Sequence, residues 1–152
     1  MDADRHGISL SILQIIPSIM RLLAAELRRA NTPVLPPQLG ALTILAESSC
    51  NLSELAEQHG VSLPTMSSTM SKLVSNGWVE RHRSEEDRRV VLLSITPAGR
   101  ELIEEIGYML LKRITAQLSE IPNADLNTLQ DGLSILQTVF TPFIFKHSST
   151  SA

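Results

Sequence analysis

The chain has 152 residues, 43% of them apolar, and a formal net charge of −3. That length fits one domain of about 100 to 200 residues with ample material for a core, and an overall acidic balance excludes a uniformly basic nucleic-acid coat. One cysteine, Cys50, excludes a disulfide framework and suits a reducing cytoplasm, while four histidines without ligand spacing (His6, His59, His82, His147) imply no metal.

The N-terminus opens on acids rather than a basic segment. Its apolar stretch is interrupted by Gln14, Pro17 and Arg21, so neither a signal peptide nor a membrane span is expected. From Ser9 to Arg29, Leu10, Leu13, Ile16, Ile19, Met20, Leu23 and Leu27 recur at helical spacing. Ile12, Ile15 and Leu22 widen the stripe beyond what one partner helix needs. Pro17 either bends this helix or marks its first turn.

The segment "SELAEQHGVS" predicts a short helix with small Leu55 and Ala56 at a crossing, a left-handed turn at Gly60 and a capping hydroxyl at Ser62. In "LPTMSSTMSKLVSNGW" the residues Met66, Met70, Leu73 and Val74 make one apolar stripe. The opposite face carries Thr65, Ser68, Ser71, Lys72 and Ser75, short hydroxyls and one cation that leave room for phosphates and base edges. After Asn76-Gly77 the pattern turns to alternation, with Val79, Arg81 and Arg83 on one side of a strand, the loop "SEEDRR", and the β-branched run "VVLLSI". Two strands about a charged loop form a wing. Within the loop Asp87 lies beside Arg88 and Arg89, where a carboxylate can hold a guanidinium in one orientation suited to a narrow minor groove. Thr96 as N-cap and Pro97 at N1 then start a long helix to about Glu120, and another is expected from Asp125 to about Phe145, broken or ended near Pro142.

The charge is unevenly distributed. Residues 61–100 hold six basic side chains (Lys72, Arg81, Arg83, Arg88, Arg89, Arg100) against four acidic ones (Glu80, Glu85, Glu86, Asp87), leaving the acidic excess elsewhere. Such a split favours one binding orientation on an anionic polymer.

Residues 35 to 105 resemble the DNA-binding core of the MarR family, the multiple-antibiotic-resistance-type bacterial regulators. The resemblance is carried by Leu35 and Gln38, "LAEQHGVS", Thr65 through Leu73, "NGWVER", "DRR" and "LSITPAG". It implies a mainly α fold with a small β wing: a winged helix-turn-helix lobe over 35–99 and a helical dimerisation lobe from 1–34 and 100–152, all within one domain. It also implies a homodimer on a double-stranded, pseudo-palindromic operator, with the helix from Leu63 as recognition helix and Arg88 or Arg89 in the minor groove. Two departures from the family pattern are Pro36-Pro37 ahead of the Gln-containing helix and Glu85-Glu86 in the wing. On this reading Thr65, Ser67, Ser68 and Thr69 lie near base edges, and Lys72, Arg81, Arg83, Arg88 and Arg89 supply phosphate and minor-groove contacts, with Asp87 supporting the wing.

The expected function is a cytoplasmic transcriptional regulator, a repressor rather than an activator, released by a small aromatic or phenolic effector of the kind common in the family. No cofactor is implied. Arg21, Arg28 and Arg29 are candidates to line an effector pocket, although a solvated helix face explains them equally. No phosphate loop, nucleophile elbow or metal-binding helix is present, so an enzyme is not expected. The alternatives are a winged module that binds protein instead of DNA, and a redox-responsive regulator using Cys50. That cysteine has no basic neighbour to lower its pKa and reads better as an inert small residue. Trp78 reads as packing under the wing. Apolar residues at both ends, Phe140, Phe143, Ile144 and Phe145 among them, call for a second copy to cover them, with ordinary intrachain core as the competing explanation.

Overall fold

A computed structural model describes residues 4–145, with side chains described through residue 140. The expectations for the side chains of Phe143, Ile144 and Phe145, and for His147 and the terminal tail, therefore lie outside the described residues. Six helices and one hairpin follow in the order α1 (Arg5–Arg29), α2 (Pro36–Glu47), α3 (Leu52–His59), α4 (Leu63–Ser75), β1 (Val79–Arg83), β2 (Val91–Ile95), α5 (Pro97–Gln117) and α6 (Asn123–Phe145). This is the mainly helical fold with a small β wing that the sequence leads one to expect.

Local signals set most of the boundaries. Gln38 Oε1 accepts the Leu35 N–H at 2.9 Å as α2 begins, and Asn51 and Glu54 exchange two reciprocal bonds of 2.9 Å at the start of α3. Gly60 ends α3 at φ +72, a conformation that costs a residue with a Cβ far more. Ser62 caps α4 through the Thr65 N–H, and Thr96 caps α5 through the Gly99 N–H.

Two boundaries, and an expected break at Pro142, differ from the sequence reading. The first helix begins at Arg5, with Asp4 capping the His6 N–H, so Pro17 is interior and not in the first turn. The carbonyl it leaves unpaired belongs to Leu13, itself exposed, which makes the loss tolerable. The last helix runs to Phe145, past Pro142, because a proline removes one bond without forbidding the turns that follow. Helix α5 stops at Gln117, short of Glu120.

One core joins the pieces. Leu42, Leu55, Met66, Met70, Leu73 and Val79 are fully enclosed, and Leu27 from the last turn of α1 and Ile106 from α5 close it from the other side. The hairpin pairs antiparallel with Val79 opposite Ile95, Arg81 opposite Leu93 and Arg83 opposite Val91. Cys50, between α2 and α3, adds a one-residue rung: it exchanges two backbone bonds with Leu93 at 3.3 and 2.8 Å.

The terminal helices are different in kind. Ile8, Leu10, Leu13, Ile15, Ile16, Ile19 and Met20 on α1, Tyr108 and Leu111 on α5, and Leu133, Ile135 and Val139 on α6 all stand exposed in the single subunit. Helix α1 is long and apolar enough to cross a membrane by length and composition, and none of its most apolar window is buried. An apolar cleft of about 810 Å³ separates the first turns of α1 from α6, lined by Ile8, Ile12, Leu129, Leu133 and Leu136 among others.

Candidate nucleic-acid interface

Helix α4 is held by its buried side and offers the other. Met66, Met70 and Leu73 are 0–1% exposed, so rotation of the helix about its axis would break the core. Thr65, Ser68, Ser71, Lys72 and Ser75 are consequently exposed, while Ser67 and Thr69 lie half-buried on the flanks. The hydroxyls are not equivalent. Thr69 donates to the Thr65 carbonyl, Ser71 to that of Ser67 and Ser75 to that of Lys72, and Thr65 shares a 2.8 Å bond with Ser62. Ser68 alone is both exposed and, among the described residues, without a hydrogen bond inside the chain. The N-terminal turn also exposes Leu63, 48% accessible, and Pro64. Sequence reasoning passed over Leu63, since an apolar residue at helical spacing from Met66 and Met70 looks like core.

The wing presents Arg81, Arg88 and Arg89 exposed. Among the described residues the ion pairs join Glu26 to Arg29 within α1 and to Arg113 of α5; the four wing arginines are matched in number by Glu80, Glu85, Glu86 and Asp87, none of which forms an ion pair with them or with Lys72. Asp87 acts differently from the expectation. Its Oδ1 accepts the backbone N–H of Arg89 at 3.0 Å, an Asx turn that fixes the loop and leaves the guanidinium free. Arg83 also departs from a free cation: its Nη1 donates to the Arg88 carbonyl at 2.7 Å. Arg100, counted with the basic face, spends both terminal nitrogens on the Ala46 carbonyl at 3.4 Å and so satisfies the end of α2.

Two further sites were candidates. Cys50 is buried, and its thiol is pushed up from 9.0 to about 11 by burial and by the charge of Glu54. A thiol so placed is a poor nucleophile at neutral pH. A shallow cleft of about 290 Å³ lies between the α1–α2 connection and α5, lined by Asn31, Thr32, Pro33, Glu105, Ile106 and Met109 among others. None of Arg21, Arg28 or Arg29 lines it. Arg21 bonds Ser18 and Arg29 bonds Glu26 on their own helix, because three-residue spacing puts those partners on the same face.

Residues 35–91 match the sequence profile of the MarR family. The likeness to that family thus extends over 57 of the 152 residues. Among curated proteins it resembles an uncharacterized HTH-type transcriptional regulator, YfiV of Bacillus subtilis, at 33% identity over 66% of this chain and 63% of that one. A second relative, ML2140 of Mycobacterium leprae, is 38% identical over 57% of this chain and 62% of its own. The matched stretch thus spans a little under two thirds of either relative. Solved structures of similar fold include a MarR family protein from Bacillus stearothermophilus, with a TM-score of 0.75 at 22% identity over 91% of this chain and 99% of that one. Another is Streptococcus pneumoniae FabT, solved in complex with DNA, with a TM-score of 0.71 at 20% identity over 92% and 99%. A third is NadR, solved in complex with 4-hydroxyphenylacetate, with a TM-score of 0.65 at 26% identity over 90% and 96%. The described chain therefore shares the winged-helix fold of these structures, with its two-stranded hairpin following α4.

Proposed function

We propose that the protein is a homodimeric, sequence-specific DNA-binding transcriptional regulator of the cytoplasm, acting as a repressor. The observation that carries this reading is the two-sidedness of α4: a buried stripe on one side and, on the other, the exposed side chains of Ser68 and Lys72, which have no partner among the described residues. The exposed wing arginines Arg81, Arg88 and Arg89 stand beside it as further cations within reach of phosphate. Lys72 and Arg81 meet phosphates, Thr65 and Ser68 approach base edges with Ser67 and Thr69 at the margins, and Arg88 or Arg89 enters the minor groove.

A second copy covers the apolar faces of α1, α5 and α6, since water-exposed surface of that extent is costly and an isologous contact repeats it on both subunits. Two recognition helices about a two-fold axis then read half-sites about 10 base pairs apart, centre to centre. A small effector lodged between the helical lobe and the winged lobe shifts the spacing of the two α4 helices and releases the operator. The FabT and NadR complexes are precedents within this fold for DNA and for an aromatic acid.

The test is footprinting of the DNA upstream of the protein's own gene, with salt titration. A protected two-fold site whose affinity falls as salt rises is expected. Equal affinity for unrelated duplex of the same length overturns the reading.

A further inference from the structure

The seven residues from Ser84 to Val90 join the wing strands as a loop whose hydrogen bonds close on themselves. The Ser84 N–H donates to the Val90 carbonyl and the Val90 N–H to the Asp87 carbonyl, each at 2.9 Å. Ser84 Oγ accepts the N–H groups of Glu86 and Asp87 at 3.3 and 3.4 Å, and Asp87 Oδ1 accepts that of Arg89 at 3.0 Å. These bonds leave the Arg88 carbonyl, at the far side of the loop, to be held by something else. Arg83 holds it: from the last rung of the ladder, opposite Val91, its Nη1 reaches across the turn with a charge-assisted bond of 2.7 Å, the shortest of those named here.

We propose that Arg83 is a positioning residue of the wing and not a phosphate contact. Its guanidinium pins the peptide that carries Arg88 and precedes Arg89, so both side chains leave the loop from a fixed backbone before DNA arrives. The ordering of the tip is then complete in the free protein, and binding does not bear its entropy. This inference rests on the DNA-binding reading for its consequence, while the brace itself concerns the free protein alone.

The experiment compares wild type, Arg83→Ala, Lys72→Ala and Arg89→Ala, with two measurements. Hydrogen–deuterium exchange of the full-length protein without DNA follows the amides of Ser84 and Val90. Affinity for a duplex from its own upstream region is measured at several salt concentrations. For Arg83→Ala the expected results are faster exchange confined to residues 84–90 and affinity lowered about threefold to tenfold, with the slope of log affinity against log salt unchanged. Lys72→Ala should lower the magnitude of that slope by about 0.9 for each phosphate that Lys72 neutralises. If Arg83→Ala lowers the slope as Lys72→Ala does, Arg83 touches phosphate and the proposal is overturned. Unchanged exchange at Ser84 and Val90 overturns it as well. If the wild-type protein binds no duplex, the DNA-binding reading falls, and the exchange measurement still decides whether Arg83 holds the loop.

Discussion

Thr96 Oγ1 donates to the carbonyl of Gly77 at 2.6 Å and accepts the N–H of Gly99 at 3.1 Å, so one hydroxyl joins the turn that follows α4 to the start of α5. The Thr96 N–H adds a backbone bond to the Trp78 carbonyl at 3.0 Å. Helix α5 runs on from this corner to meet α1 at the Arg113–Glu26 ion pair, so the corner links the hairpin to α1. Thr96→Ala removes the cap and strands the Gly77 carbonyl. A loss of about 1–2 kcal/mol in urea unfolding is expected, with Thr96→Ser recovering most of it. Equal stability of the alanine variant and wild type would show that the hydroxyl bears nothing.

Gly99 sits in the same corner for a steric reason. A Cβ at this position would collide with the carbonyl oxygen of Trp78, a backbone atom that cannot step aside, and would press on Ile95 Cγ1 at 2.8 Å. Gly99→Ala therefore forces α5 away from the base of the wing. The expected cost is about 1–3 kcal/mol, and operator affinity should fall with it as the wing tilts. Thermal unfolding and anisotropy with labelled operator check the two parts.

How much of this was legible in the sequence depended on the reach of each signal. Gly60, Ser62, Gly77, Thr96 and Pro97 act on neighbours within a few residues, and their identities alone placed α3, α4, the hairpin and the start of α5. The stripe of Met66, Met70 and Leu73 likewise orients a helix whatever it packs against. Arg100 on the Ala46 carbonyl is 54 residues distant, and a guanidinium bonded to a backbone oxygen leaves no trace in composition. Cys50 against Leu93 is a single rung, too short for alternation to reveal a strand. For Asp87 the neighbours were identified correctly and the bonded atom was not, because a carboxylate next to an arginine can reach the backbone N–H before the guanidinium.

Among the wing arginines, Arg89 is exposed and its side chain is without an ion-pair partner among the described residues. Arg89→Ala should weaken operator binding by about 1–3 kcal/mol at moderate salt if its guanidinium enters a groove. Anisotropy on the operator provides the measurement. An unchanged affinity assigns the groove to Arg88 or removes the wing from recognition.

The exposed face of α1 gives a prediction about assembly. Ile16 is 48% and Leu13 66% exposed in the single subunit, at positions where a carboxylate would be well solvated in a monomer and buried in a dimer. Ile16→Glu should leave the helical content intact and shift the solution mass from two subunits to one, with operator affinity lost in parallel, since one α4 cannot span two half-sites. Light scattering after size exclusion reads the mass. A wild-type protein that is monomeric at micromolar concentration would rule out the dimer.

Cys50 allows a test of the redox alternative with a sign fixed by linkage. Burial raises its thiol from 9.0 to about 11, so the folded protein keeps this proton in a range where the unfolded chain releases it. The contribution to stability is present in full below pH 9 and is lost as the pH rises through about 11; nothing changes near neutrality. Native protein at pH 7 should therefore react slowly with a disulfide reagent, react at once when unfolded in urea, and keep its operator affinity after exposure to peroxide. Cys50→Ala would leave a small void under Leu93, costing stability without altering the response to oxidant. Peroxide that releases wild type and not Cys50→Ala from DNA would restore the cysteine as a sensor, and would require the rung it forms with Leu93 to open first.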